Sequence, residues 1–497
     1  MNFRMHRYIL GRLCEVFAGL LLLPLLVALL YREGQTIVSA YLGTALTSLA
    51  CGVLLAWKKP EKRKLYRRDG LIIVAAVWIF FALMGALPLL ITREVPSLID
   101  GFFEMASGFT TTGSTIFTDV EVLSHATLFW RSLAHLVGGM GVLVFALAII
   151  PGIGAESTQL MKAEVPGPTF GKIKSSTRES ARVLYLIYLG MTAILVLFLL
   201  FGGMDLFDAL IHAFGAAGTG GFSNKNLSIG AFHSSYIEIV LALGMLAFGV
   251  NFNLYYYFLL TKCKKWPRSE ELNWYLAIVA LTTLGVGVNI LPQYLQRGES
   301  WLTALKDSFF NVSSIITTTG FGTADFVEWP LFSHIILLLL MFCGACAGST
   351  GGGLKVARIV IGSKTAVNGA RQSWDPKRTL PLRFDGEVME HSALRKVFAY
   401  YFVYIGLFFL FMLPVSLDCG SFDLAFSAVA ATYNNIGPGL ALIGPRGNYA
   451  FFSPFSKFVL SLAMITGRLE LYPMLALCTL PSAAAAERHL RQLCHRE

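Results

Sequence analysis

The stretch Met105–Phe117, "MASGFTTTGSTIF", decides the fold. It is rich in Thr, Ser and Gly, yet it lies between two long apolar runs. Backbone that leaves regular structure at membrane depth survives only when buried in protein or lining a water-filled path. Three more segments repeat the pattern: "HAFGAAGTGGFSN" at His212–Asn224, "VSSIITTTGFGTADF" at Val312–Phe326 and "ATYNNIGPGL" at Ala431–Leu440. With Gly113, Gly221, Gly320 and Gly437 as markers, the intervals are 108, 99 and 117 residues. An aspartate stands thirteen positions before three of them (Asp100, Asp208, Asp307) and fourteen before the last (Asp423). Asp is a favoured N-cap, and the ten or so residues after it make about three helical turns, about half a bilayer. The unit is a span, an Asp-capped half-helix, a polar hairpin and a second span, written four times.

Bulk properties agree with a membrane setting. Of 497 residues, 55% are hydrophobic and 14% charged, and mean hydropathy is +0.63. Soluble proteins carry about 25% charged residues. Uncharged runs of about 20 residues recur, long enough to cross hydrocarbon as helix. The net charge of +10 is bunched in short connections, such as Lys58–Arg68 and Lys262–Arg268, which reads as basic cytoplasmic loops and excludes a nucleic-acid partner. The eight cysteines show no framework of extracellular pairs, and Cys343 and Cys346 read as small residues in a lipid-facing run. The N-terminus reads as an uncleaved first helix.

Ten spans are expected, near 8–31, 36–57, 70–92, 127–153, 182–203, 235–261, 271–292, 332–362, 396–417 and 455–480. Lys and Arg concentrate in 58–69, 154–181, 262–270, 363–395 and the tail. The hairpins therefore face the non-cytoplasmic side and both termini the cytoplasm of the inner membrane.

Four hairpins ringing one axis can present backbone carbonyls in place of a cation's water shell. Each half-helix aims its negative C-terminal end at that axis. A marker glycine permits φ > 0 and close approach, and a β-branched Thr keeps its strand extended while its hydroxyl ties the outer face. The candidate site comprises Thr111, Thr112 and Gly113; Thr219, Gly220 and Gly221; Thr318, Thr319 and Gly320; and Asn435, Ile436 and Gly437. No charged residue occupies these positions, which favours a monovalent cation over a divalent one. The plainer alternative is close helix packing through small residues.

These four units resemble the superfamily of K⁺ transporters called Trk, Ktr and HKT, and specifically its TrkH-type subunit, over nearly the whole chain. The resemblance implies an all-α polytopic membrane protein. Four covalently linked M1–P–M2 repeats would surround a pseudo-four-fold pore, with two extra N-terminal transmembrane helices. The divisions would be 1–58 (the extra helices), 70–153, 182–261, 271–362 and 396–480 (the repeats) and 481–497 (a cytoplasmic tail). Glycine at 113, where Na⁺-favouring members tend to have serine, implies K⁺. "GTGG" and "NNIG" depart from Thr-Thr-Gly, so discrimination against Na⁺ should be weaker than with four identical signatures. The resemblance also implies a homodimer in lipid and a cytoplasmic nucleotide-binding regulatory subunit (TrkA-like), with K⁺ as cargo and no organic cofactor on this chain.

"CGACAGSTGGGLK" (Cys343–Lys355) would break a helix in mid-membrane. It lacks the ending and the preceding strand of a phosphate loop, so it reads as a simple kink or, by the resemblance, a flexible intramembrane loop containing Gly348, Gly351, Gly352 and Gly353. Arg468 lies deep in an apolar run and is a candidate cation barrier beneath the hairpins. The alternatives are an ion pair with Glu470 and a snorkelling side chain. A voltage-gated channel lacks its arginine ladder here. A transporter coupled to H⁺ or Na⁺ would lean on Glu238, Asp325 and Glu470. An intramembrane enzyme would need His135, His212 or Ser107 in a nucleophile–base pair, and no such spacing is seen, so the chain is not expected to be an enzyme.

Overall fold

The structure is a computed structural model and describes residues 3–58, 60, 67–141, 177–260, 269–375 and 381–478. The second half of the expected span 127–153, most of the basic connections 154–181 and 262–270, and the tail 481–497 lie outside the described residues.

Helices α1 (Phe3–Leu30) and α2 (Gln35–Ala56) form an antiparallel pair. They cross at two glycines: a Cβ on Gly11 would stand 2.8 Å from the Gly52 carbonyl, and one on Gly52 2.9 Å from the Gly11 carbonyl. Small residues let backbones approach this closely. Phe17 of α1 then reaches the next unit, 4.8 Å from the ring of Phe81 and 5.6 Å from that of Trp130.

An order of long helix, short helix, hairpin and second helix follows four times. The first is α3 (Arg67–Ile91), α4 (Leu98–Phe109) and α5 (His125–Gly139). The second is α6 (Thr177–Phe201), α7 (Leu206–Gly218), α8 (Ser235–Phe248) and α9 (Phe252–Leu260). The third is α10 (Glu270–Gln296), α11 (Trp301–Ile316), α12 (Leu331–Cys343) and α13 (Val356–Trp374). The fourth is α14 (His391–Val415), α15 (Phe422–Tyr433), α16 (Pro454–Arg468) and α17 (Tyr472–Cys478). The long helices show large apolar side chains outward, Leu281 and Phe402 among them, as lipid as solvent requires. The short helices are buried: every residue of α4 from Asp100 to Phe109 is covered.

Among the described residues, six helices are long and apolar enough to cross a bilayer, and α8 with α9 makes a seventh span bent by 89°. The expected span over 235–261 is thus bent, at residues 249–251. The last span is interrupted too, at Glu470 (φ +53°) and Leu471 (φ +71°). The break expected in the third unit spans residues 344–355. Beside the helices, β1 (Arg383–Phe384) and β2 (Glu387–Val388) pair through Asp385-Gly386, both at φ > 0. That is the backbone a two-residue hairpin demands.

The aspartates do not cap. The N-caps are Ser97, Asp205, Ser300 and Ser421, each accepting a backbone N–H from the first turn. Asp100 and Asp208 stand three residues inside, and Asp307 lies in mid-helix. Ser97 and Asp100 form a reciprocal pair, the Asp100 N–H on the Ser97 hydroxyl and that hydroxyl on the Asp100 carboxylate at 2.6 Å. The aspartates brace instead. Asp208 accepts from Asn224 at 2.6 Å, Asp307 from Tyr294 at 2.9 Å, and Asp100 from Lys457 of α16 at 2.7 Å. Cys343 and Cys346 are buried rather than lipid-facing.

Candidate ion-conducting site

Each short helix ends in a residue whose carbonyls lack intrahelical partners, and the chain then turns through a left-handed residue: Thr111 (φ +55°), Thr219 (+58°), Thr318 (+60°) and Asn435 (+58°). This corrects the expectation of an extended strand held by β-branched Thr. Left-handed backbone recurs two residues on at Gly113 (+82°), Gly320 (+88°) and Gly437 (+98°), whereas Gly221 keeps φ outside that region. In the first, third and fourth segments this alternation of hand departs from a regular strand, whose successive residues face opposite sides.

The four segments close a ring. A Cβ on Gly113 would stand 2.7 Å from the Gly221 nitrogen, and one on Gly221 2.6 Å from the Gly320 carbonyl carbon. One on Gly320 would collide with the Ile436 oxygen, and one on Gly437 would stand 2.7 Å from the Thr112 oxygen. Each marker thus abuts the next in order and the fourth abuts the first. At Gly221 the need for glycine is space alone. Close helix packing does not describe these contacts, which run between non-helical segments.

Side chains hold the ring from behind. Thr110 and Thr112 share a hydroxyl bond of 2.8 Å, as do Thr317 and Thr319. Asn435 donates to Thr112 at 3.0 Å, tying the fourth segment to the first. Nine residues before three of the markers stand Glu104, His212 and Asn311, and all are buried. Glu104 accepts from Thr115 at 3.0 Å and from the Ile116 N–H at 3.0 Å, and pairs with buried Arg131 at 2.8 Å. His212 meets the Ser223 hydroxyl at 2.9 Å, and its Nδ1 meets a backbone oxygen, that of Asp208, at 2.7 Å. His135 meets the Gly108 oxygen at 2.7 Å. The histidines are braces, and the buried Ser107 hydroxyl bonds neither of them. Glu104, Arg131 and Tyr449, which donates to the Gly437 oxygen at 2.8 Å, escaped the sequence reading; the polar residue nine before three of the markers would have flagged Glu104.

Past the ring, Asn226 joins the first two hairpins, accepting the Val120 N–H at 2.9 Å and donating to Asp119 at 2.8 Å. That side-chain bond holds the Asp119 carboxyl below its usual range.

Beneath the ring, the loop 344–355 tucks against the third and fourth segments. The Gly352 N–H donates to Thr318 Oγ1 at 2.7 Å, and a Cβ on Gly351 would stand 3.1 Å from the Thr317 oxygen. Gly348 (φ +72°) and Gly353 (φ +71°) turn the loop. Arg468, the last residue of α16, donates to the Thr350 oxygen at 2.6 Å and to the Gly138 oxygen at 2.7 Å, and also bonds Gly139. It therefore joins the loop to the open C-terminal carbonyls of α5. The ion pair considered for Glu470 goes elsewhere: Arg358 holds that carboxylate with both nitrogens, at 3.1 and 2.6 Å. Buried Lys355 donates to the Gly351 oxygen. Lys355 and Arg358 were not singled out from sequence, since neither follows a charge pattern. Of the carboxylates that a coupled transporter would use, Glu238 pairs with Lys306 at 2.6 Å and Asp325 caps the Val327 N–H at 3.2 Å.

A ring of four uncharged backbone segments, set among apolar helices long enough to span a bilayer and with Arg468 beneath it, defines a multi-pass cation-transport protein. The family model described as TrkH, cation transport protein, matches residues 38–488, and the chain belongs to that family. It is 37% identical over 485 residues to the Trk system potassium uptake protein TrkH of Salmonella typhimurium, covering 96% of this chain and 99% of that one. The TrkH of Escherichia coli K12 has the same identity and coverage. The crystal structure of the potassium transporter TrkH from Vibrio parahaemolyticus superposes with TM-score 0.87 at 32% identity, covering 97% of this chain and 99% of that one.

Proposed function

We propose that this chain is the ion-translocating subunit of a Trk-type potassium uptake system. The closed ring of four backbone segments carries this reading. K⁺ would shed its water against carbonyl oxygens from all four quarters, with the short-helix C-termini adding negative potential. Thr111–Gly113, Thr219–Gly221, Thr318–Gly320 and Asn435–Gly437 are the proposed filter, within four repeats bounded as the sequence indicates. Below it, the loop around Gly348 and Gly351–Gly353 is the gate. Arg468 is the electrostatic barrier, its charge held under the filter by carbonyls of two other units.

With the basic connections inside, the hairpins face outward and the termini face the cytoplasm of the inner membrane. The exposed part of α13 and the hairpin after it form a cytoplasmic face suited to a nucleotide-binding regulatory subunit, and the chain works as a homodimer in lipid. Rubidium uptake into proteoliposomes tests the central reading. Uptake should follow the K⁺ gradient and be unchanged by an imposed proton or sodium gradient; no uptake, or uptake driven only by such a gradient, overturns it.

A further inference from the structure

The intramembrane loop is drawn together at its base. The Leu354 N–H donates to the Phe342 oxygen at 3.1 Å and the Val356 N–H to the Ala345 oxygen at 3.1 Å. Its flank rests in the bend between α8 and α9: the Cys346 N–H meets the Gly249 oxygen at 3.0 Å, and the Gly348 oxygen accepts the Phe252 N–H at 3.0 Å. One side chain joins the two limbs. Glu271, in the first turn of α10 and 5% exposed, accepts the Ala347 N–H at 2.7 Å and the Ala357 N–H at 3.0 Å, both on Oε1.

Ala357 lies in the first turn of α13, whose N-cap is Lys355. Lysine has no acceptor, so that turn has an orphan donor and a positive dipole end. The Glu271 carboxylate, from the first helix of the same unit, supplies both the acceptor and the charge. The charged groups around it are Lys355 and Asp385, with Glu270 next to it held by Lys364.

We propose that Glu271 is the latch of the loop: a positioning residue whose single oxygen pins the loop's entry and exit limbs together and so holds the loop against the inner mouth of the ring. Opening the loop separates residue 347 from 357 and must break at least one of these bonds. The inference rests on reading the loop as the gate.

Cys346 is its reporter, a free thiol 1% exposed and one residue from Ala347. In the full-length protein in proteoliposomes, a membrane-permeant maleimide should label Cys346 about tenfold faster in Glu271→Ala than in the unaltered protein, as expected for losing a charged hydrogen bond. Glu271→Gln keeps an oxygen able to accept both N–H groups and should label within about twofold of the unaltered rate. Equal rates for the unaltered protein and Glu271→Ala overturn the latch, as does Glu271→Gln labelling as fast as Glu271→Ala. Should the alanine variant not fold, amide exchange of the unaltered protein decides: slow exchange at Ala347 and Ala357 supports the latch, and exchange as fast as at exposed loop amides overturns it. Rubidium flux in the same vesicles separates the two readings. Faster labelling with unchanged flux retires the loop as gate and leaves the latch standing.

Discussion

Gly113 takes a left-handed backbone and has the Gly221 nitrogen where its Cβ would be. Serine there brings about 1 kcal/mol of backbone strain and must displace the neighbouring segment. Gly113→Ser should lower K⁺ flux and raise Na⁺ permeation relative to K⁺, measured as paired isotope uptake; unaltered selectivity removes this segment from the filter. Arg468→Ala deletes three carbonyl contacts and the charge beneath the ring, so flux without a regulator should rise several-fold in the same assay. Asp119 gives a signed pH expectation. Its carboxyl is lowered in the folded protein, so its tie to Asn226 persists above the ordinary value of 3.8 and is lost only as pH falls through the lowered one. Uptake between external pH 5 and 8 should therefore be indifferent to Asn226→Ala in its pH profile, whatever its effect on rate. At this scale the marker glycines were legible, because few residues tolerate φ > 0. The aspartates thirteen residues upstream were seen but misread, since spacing alone does not separate a cap from a brace.

The short helices stay in place because each is bound to the hairpin it precedes. Glu104 carries the greatest load, a carboxylate with no exposure paired to an equally buried guanidinium and to two groups of its own hairpin. Glu104→Ala leaves Arg131 buried without that partner and should cost about 3–5 kcal/mol, read as a lowered unfolding midpoint in detergent. Second helices of the last three units behave differently: they break at 249–251, 344–355 and 469–471. Gly352→Ala tests the loop. Its Cβ would collide with the Asn434 oxygen, so the loop should lift from the inner mouth and raise unregulated flux. The glycine run announced the third break. The other two carry no comparable signal, because the 249–251 bend is satisfied by bonds from the third unit rather than by its own residues.

Across the molecule, order in the chain becomes order around an axis. The first segment meets the second, the second the third, the third the fourth, and the fourth returns to the first through Gly437 and Asn435. The N-terminal pair stands outside that circle and buttresses it. Phe17 packs on Phe81, Phe109 and Trp130, and Phe109 is the residue just before Thr110. Phe17→Ala should cost about 3–5 kcal/mol as a cavity and lower thermal stability in detergent while leaving K⁺ preference intact, since no bond of the ring passes through it.

The sequence by itself determined the membrane setting, the four-fold recurrence and the glycines at its centre. These follow from apolar length, interval and backbone conformation, which are local properties of a chain. Tertiary structure alone decided which groups meet: that Arg468 faces the carbonyls of two other units, that Glu470 belongs to Arg358, and that Glu271 closes a loop some eighty residues away. Buried polar groups must find partners wherever the fold places them, and that pairing is set by three-dimensional proximity, which no spacing in the chain records.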